Sequence, residues 1–405
     1  MRWLFPIALS PAESTARDAK LADIDAWWAE LAAAWPNIQA SFRREGDFDV
    51  AAFVQRAFNG RVHPDLMWEF GPHAAGGDFL ALCPESRREL TPLVDAALAR
   101  APAIDGLTLR RGRPPVGVKS ADGMVRARAG GGLPARVHAA LHDGGPLVAV
   151  TWELAPGEAV NDAARNRAFV ATEAMLGEAV LDTWIGPIDV TGPPKAGWFA
   201  RLLGKAPPPS AEPVETLAER VAALVADVQR ALPAAPYGRE LADADGALLQ
   251  ITRNGPPSSA RRGDLFVAQS RVPTLAAALF SDALFASERH SAHGELFAYV
   301  KIAHDPADAG QEVAARSRYE DALFAALTAA GLGVPVGAGM GAGYAYIDLA
   351  LTRPDDALAV IRATLQALGA PEQAWILFFD ATLGDEWVGV WDHTPAPPAD
   401  DDSAS

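Results

Sequence analysis

Gly337-Ala338-Gly339-Met340-Gly341-Ala342-Gly343-Tyr344-Ala345-Tyr346-Ile347-Asp348-Leu349 places four glycines in its first seven residues and then alternates aromatic or acidic side chains with aliphatic ones. A glycine tract cradles phosphate through its backbone N–H groups when it leaves a strand and opens a helix. This one does the opposite. Tyr344, Tyr346 and Asp348 fall on one side of a two-residue period and Ile347 and Leu349 on the other, which is the pattern of a strand. No Gly-Lys-Ser or Gly-Lys-Thr occurs anywhere in the chain. The tract therefore predicts a flexible hairpin between two strands, or a place where another backbone approaches closely.

Reading outward from it, a strand is expected over 295–303, then a helix carrying Tyr319, Leu323, Leu327 and Ala330 and ending at Gly331. Thr352-Arg353-Pro354-Asp355 resembles a capping box that opens a second helix with Leu358, Ile361, Leu365 and Leu368, and 375–380 reads as a last core strand. If Val334-Pro335-Val336 is a short strand, block 294–391 has the order β-α-β-β-α-β, the split arrangement of a ferredoxin-like unit.

The first half gives nearly the same order. A strand over 3–9 precedes a helix with Ile24, Trp27, Trp28, Leu31 and Trp35, which Pro36 ends or restarts. A helix capped by Asp49, strands over 66–70 and 79–82, a helix from Thr91-Pro92 and a strand over 107–109 follow. Strands are then expected over 124–129, 135–142 and 147–154, the last two joined at Asp143-Gly144-Gly145, with a long helix from Asn161 to Leu181 closing the half. After it come an amphipathic helix through Leu217, Val221, Leu224 and Val228 and strands over 247–252 and 265–270. The predicted class is α+β, antiparallel sheets with packed helices, built from repeated ferredoxin-like units. Trp68-Glu69-Phe70-Gly71-Pro72, echoed by Trp152-Glu153-Leu154-Ala155-Pro156, hints at a duplication.

The expected domains are 1–190, a Pro-rich linker over 191–213, a second α+β domain over 214–393, and a disordered acidic tail over 394–405. Half of the 405 residues are hydrophobic and 21 % are charged, enough for two or three cores. No apolar run approaches the roughly 20 residues of a membrane span. The charge-then-apolar start at Arg2 is interrupted by Pro6 and followed by Glu13 and Asp18, so it reads as a strand and not a secretion signal. The single cysteine, Cys83, fits a reducing, cytoplasmic setting and a buried hydrophobic role. A formal charge of −16 repels phosphate backbones and suits a basic protein partner. Arg110-Arg111-Gly112-Arg113 and Arg261-Arg262 are too short to reverse that.

Few constellations suggest chemistry. His138 and His142 have the helical spacing of zinc ligands, but on a strand they stand about 13 Å apart, too far to share an ion. His290, His293 and Glu295 read as exposed loop residues, and no metal or cofactor is called for. Glu69 and Glu153, each after a tryptophan, would make an acid/base pair if the two repeats faced each other, with His73 assisting. The plainer expectation is that Trp68 and Trp152 fill cores while the glutamates meet water. Tyr344, Tyr346 and Asp348 offer a polar strand face that either binds a partner or is solvated.

Residues 67–72 and 337–351 resemble segments of bacterial proteins that carry no functional name, a likeness that implies no activity. The order of block 294–391 is also similar to that of the ferredoxin-like ribonuclease E regulators, without a motif that carries their function. The expectation is a non-catalytic intracellular protein-binding regulator, adaptor or immunity-type protein, binding through Trp68, Glu69, Trp152, Glu153, Tyr344, Tyr346 and Asp348. The competing expectation is an enzyme or small-molecule binder that uses carboxylates in an inter-domain cleft.

Overall fold

The glycine tract is itself a strand. In the computed structural model, Gly333–Gly341 (β11) pairs antiparallel with Tyr344–Leu351 (β12) on one side and with Leu265–Ser270 (β9) on the other, and every residue of β11 is buried. A methyl group at Gly337 would stand 2.6 Å from the Gln269 carbonyl oxygen, and one at Gly339 2.6 Å from the Leu265 side chain. The close backbone approach is thus real. The expected loop shrinks to Ala342-Gly343, because β9 recruits the tract into the ladder.

The structure describes residues 1–73, 76–142, 145–192, 211–243, 246–252, 258, 260–278, 283–304 and 312–399. The chain is α+β, with mixed helices and mainly antiparallel sheets, and forms two compact units. One comprises Met1–Leu66, Ser86–Asp105 and Pro233–Ser405, the other Met67–Glu85 and Gly106–Leu232. This differs from a cut at 191–213, since segments on both sides of that stretch share the first unit. Residues 193–210 of the expected linker, Asp143-Gly144 of the expected turn and 400–405 of the expected tail lie outside the described residues.

The first unit holds a seven-stranded antiparallel sheet in the order Trp387–Gly389 (β14), Ala374–Phe378 (β13), Leu296–Ala303 (β10), β12, β11, β9 and Ala247–Gln250 (β8). Helix Glu312–Ala330 (α9) joins β10 to β11, and Pro354–Ala367 (α10) joins β12 to β13. The four central strands therefore carry the split β-α-β-β-α-β order. Leu323, Leu327, Ile361 and Leu365 of the helices close on Val300, Ile302, Ile347 and Ile376 of the sheet. Helix α10 has no side-chain cap; the Thr352 hydroxyl donates to the Gly331 carbonyl at 3.3 Å, so the capping box does not form.

Two other expectations change at the N-terminus. Residues 3–9 are not a strand, because the N–H groups of Trp3, Leu4 and Phe5 all donate to the buried Glu386 carboxylate, at 2.5, 3.2 and 3.3 Å. Donors spent on one carboxylate cannot run a ladder. Phe5 stacks on Phe378 at 4.8 Å, and the Arg2 guanidinium lies 3.8 Å over the Trp387 ring. Helix Pro11–Phe42 (α1), capped by Ser10 and Glu13, then runs through Pro36 without a break. Tertiary anchors outweigh the lost hydrogen bond: Trp35 Nε1 donates to the Asp105 carbonyl at 2.9 Å and Trp28 Nε1 to that of Ala97 at 2.7 Å. Helices Val50–Val54 (α2), Thr91–Ala99 (α3) and Pro273–Ala278 (α8) complete this unit. The first residues of the expected tail are held: Thr394 is buried, and Trp375 Nε1 donates to the Pro395 carbonyl at 2.6 Å.

The second unit has two sheets of one plan, an antiparallel hairpin with a parallel third strand beside its second. Met67–Pro72 (β1), Asp78–Cys83 (β2) and Leu107–Arg111 (β3) make the first. Arg136–Leu141 (β4), Val148–Glu153 (β5) and Ile185–Thr191 (β6) make the second, with Glu212–Pro213 (β7) beside β4. Because β2/β3 and β5/β6 are direct neighbours, the split order is not repeated here. Trp68 lies on the first strand of its hairpin and Trp152 on the second of its own, so their echo does not mark equivalent places.

Residues 124–129, expected as a strand, belong to helix Val118–Ala129 (α4): Ala121 and Val125 bury one helical stripe, and Asp122 pairs with Arg126 one turn on. Asn161 caps Asp162–Leu176 (α5) as expected. Gly177 at φ +78° then breaks the long helix, and Glu178–Trp184 (α6) restarts it. Helix Leu217–Ala231 (α7) closes the core of Val137, Val150 and Trp152 with Val221 and Leu224.

Candidate functional site

Each tryptophan–glutamate pair is occupied internally. Trp152 is wholly buried and its indole donates to Thr172 Oγ1 at 2.9 Å, while the neighbouring Glu153 meets Arg136 at 3.6 Å. Trp68 is half-buried, edge-on to Phe70, and Glu69 binds Arg113 Nε at 2.5 Å. The two glutamates lie on different sheets and serve different arginines, so they do not form one acid/base pair. His73 Nε2 lies 2.8 Å from the Arg110 guanidinium.

Around Arg113 the second unit gathers its densest charge. The buried guanidinium also binds Glu173 and, at 3.1 Å, Glu85, while Glu178 accepts the N–H groups of Arg113 at 3.0 Å and Glu85 at 2.7 Å. Burial works against the arginine's charge, yet Glu69 and Glu173 more than offset it and hold its pKa above the ordinary value. Beside this knot, burial and then Glu178 push the Cys83 thiol well up, which keeps it protonated and inert.

Tyr344, Tyr346 and Asp348 lie on the sheet face turned away from α9 and α10. The face is closed: Tyr346 and Asp348 are wholly buried and Tyr344 half-buried. The chain just ahead of β9 lays two charges on it. Arg262 forms an ion pair with Asp348, its guanidinium 5.2 Å from the rings of Tyr299, Tyr346 and Phe379. Asp264 accepts the Tyr346 hydroxyl and the N–H groups of Gly343 at 2.8 Å and Tyr344 at 3.1 Å. Lys301 Nζ sits 4.0 Å over the Tyr344 ring. Burial, then Asp264, drives the Tyr346 phenol pKa up, so the group is a fixed donor and not a base. Tyr346 and Asp348, expected to face a partner, are thus interior.

Of the expected exposed cluster His290, His293 and Glu295, the first and last are buried. Glu295 accepts the Tyr237 N–H at 2.9 Å and the Ser291 hydroxyl at 2.8 Å, and His293 alone stays at the surface. His290 stacks on Phe285 at 4.5 Å, and burial, with Arg289 adding to it, pushes its imidazole down to about 4. The native state therefore resists a proton that the unfolded chain accepts near 6.5. His290 should leave stability unaffected above pH 6.5 and lower it as pH falls towards 4, by up to about 3 kcal/mol. Burial raises the pKa values of Glu295 and Asp380, whose effect runs the other way, with stability lost as pH rises. Urea midpoints of the native chain and of His290→Phe across this range isolate the imidazole: parallel curves would rule its role out.

Among the described residues no three His, Cys, Asp or Glu side chains converge as a metal site, and no helix is long and apolar enough to cross a membrane.

What the sequence reading missed lies on the helix side of the seven-stranded sheet. One row of directly paired residues runs Val388, Ile376, Val300, Ile347, Ala338, Gln269, Leu248 across all seven strands. The first five are buried under the helical layer, whereas Gln269 is exposed and Leu248 is 75 % exposed. The cause is arithmetic. Seven strands span about 29 Å, and two helices packed 8–10 Å apart cover about two-thirds of it. Strands β9 and β8 extend past that cover as a ledge about 10 Å wide. At its inner edge Phe266, Val267, Val313, Met340 and His304 line a cavity of about 290 Å³, with Phe266 50 % and Val313 52 % exposed. The only linear signal was the uncharged run Gly246-Ala247-Leu248-Leu249-Gln250-Ile251-Thr252.

Comparison of the chain with protein-family models, with curated proteins and with solved structures finds no match.

Proposed function

We propose that this protein is non-catalytic and works by binding another protein, as a regulator, adaptor or immunity-type protein. The observation that carries this reading is the end of the helix side of its large sheet, where, among the described residues, Leu248, Phe266 and Val313 are exposed around Gln269. Large apolar side chains left exposed together on one face, with polar neighbours, mark protein-interaction sites. The carboxylates that an enzymatic reading needs are engaged elsewhere: Glu69 by Arg113, Glu153 by Arg136 and Asp348 by Arg262. General acid/base catalysis asks for a carboxyl group free to exchange a proton with substrate, and the neutralising arginines count against it.

The test is site-specific photo-cross-linking in the cells from which the protein comes, with the reactive group at position 248 and, as control, at exposed Leu141 of the other unit. One protein adduct should form from 248 and not from 141. Equal adducts from both positions, or none from 248, would remove the ledge as the binding face.

A further inference from the structure

We propose that Arg262 is an internal stand-in for a guanidinium group carried by a partner: Tyr299, Tyr346, Phe379 and Asp348 form a cation cage that the chain keeps filled with its own side chain until another guanidinium displaces it. The protein-binding reading enters only as the source of that group, and the cage lies on the face of the large sheet opposite the ledge.

The cage has the parts that cation recognition needs. Three ring centroids stand 5.2 Å from the guanidinium carbon, and Asp348 adds an ion pair. Tyr299 and Tyr346 belong to β10 and β12, and Phe379 follows β13, so the walls are built on the sheet. The arginine is not. It comes from the turn at 260–264 ahead of β9, where the Gly263 N–H donates to the Ala260 carbonyl at 2.7 Å and the Leu265 N–H to the Arg262 carbonyl at 3.1 Å. Arg261 in that turn sits at φ +40°, a left-handed conformation rare for any residue but glycine, and strain of this kind persists at ligand clamps and switch segments. The Arg262 side chain keeps 12 % exposure and that of Asp348 none, so the way out to solvent runs along the arginine. Asp264, two residues on, ties the turn to β12 through the Tyr346 hydroxyl and the N–H groups of Gly343 and Tyr344. Arg262 can therefore leave while β9 stays paired with β11.

Charge decides what can replace it. Around Tyr346 the cations among the described residues are Arg262 and Lys301, whose Nζ lies 6.0 Å from the ring, and the carboxylates are Asp348 and Asp264. An empty cage strands Asp348 in the interior, and a neutral or acidic occupant does no better. A guanidinium restores the balance, and its flat fork meets the carboxylate and the ring faces together, as an ammonium does not. The −16 of the chain favours encounter with such a basic group.

The test is chemical rescue and displacement in the full chain. Methylguanidinium should raise the urea midpoint of Arg262→Ala, or restore its folding if the variant does not fold alone, where methylammonium and sodium chloride at the same ionic strength do neither. The double variant Arg262→Ala, Asp348→Leu should not respond. In the native chain, an acetylated and amidated Gly-Arg-Gly peptide at tens of millimolar should speed hydrogen exchange at the Gly263 and Leu265 N–H groups at least about tenfold, and the Gly-Gln-Gly peptide should not. Rescue by methylammonium equal to that by methylguanidinium, or rescue by neither, would show that the rings and Asp348 do not select a guanidinium. Rescue of the variant without faster exchange in the native chain would make Arg262 a fixed part of the interior. Either result ends the stand-in and leaves the cross-link from position 248 to decide the protein-binding reading separately.

Discussion

Gly333→Ala should prevent the seven-stranded unit from assembling, at a cost of more than about 4 kcal/mol, the range reached only by a severe structural conflict. Gly333 opens β11 at φ +136°, where side chains are rarely tolerated, and an added methyl group would run into the carbonyl oxygen of Ala350. That oxygen cannot retreat. It belongs to β12, which pairs with β11 on one side and β10 on the other, and Ala350 itself is wholly buried. Gly343 provides the contrast, since nothing lies within 4 Å of a methyl group built there. Gly343→Ala should stay within about 1 kcal/mol of the native chain. Urea unfolding and limited proteolysis of both variants read the difference, and coincident midpoints would show that the start of β11 does not need a glycine at 333.

The glycine tract at 337–343 could be half read. Tyr344–Leu351 was legible as a strand because its two faces differ chemically: Tyr346 and Asp348 meet Arg262 and Asp264, while Ile347 and Leu349 meet aliphatic helices. The glycines ahead of it carry no side-chain pattern, and what fixes them, Gln269 and Leu265, lies some seventy residues earlier in the chain. The same distance in sequence hides the closure of the polar face, since the arginine that buries Asp348 belongs to a segment with no periodicity of its own. Residues 124–129 were misread for a local reason. Met, Val and Ala fit either period over six residues, and the stripe that decides for a helix, Ala121 and Val125, begins outside that window. The ledge is illegible for a third reason: whether Leu248 is covered depends on how many helices the sheet has against how many strands, which no local window contains.

Removing the arginine from the Arg262–Asp348 pair should cost about 3–5 kcal/mol, whereas removing both charges should cost much less. Asp348 is wholly buried in mid-strand, with β10 and β11 on either side, and cannot turn to water. Arg262 is its ion-pair partner, and three aromatic rings around the guanidinium add cation–π attraction. Arg262→Met keeps most of the side chain's bulk but strands a carboxylate in an aromatic interior, where the unit must either protonate it or open. Its stability should therefore rise on acidification, towards the ordinary carboxylate range. The double variant Arg262→Met, Asp348→Leu removes the stranded charge and should recover most of the loss. Urea midpoints of native, single and double variants form the test. If the double variant is no more stable than Arg262→Met, the arginine acts through packing on Tyr299 and Phe379 and not through the carboxylate, and the closed polar face owes its order to stacked rings.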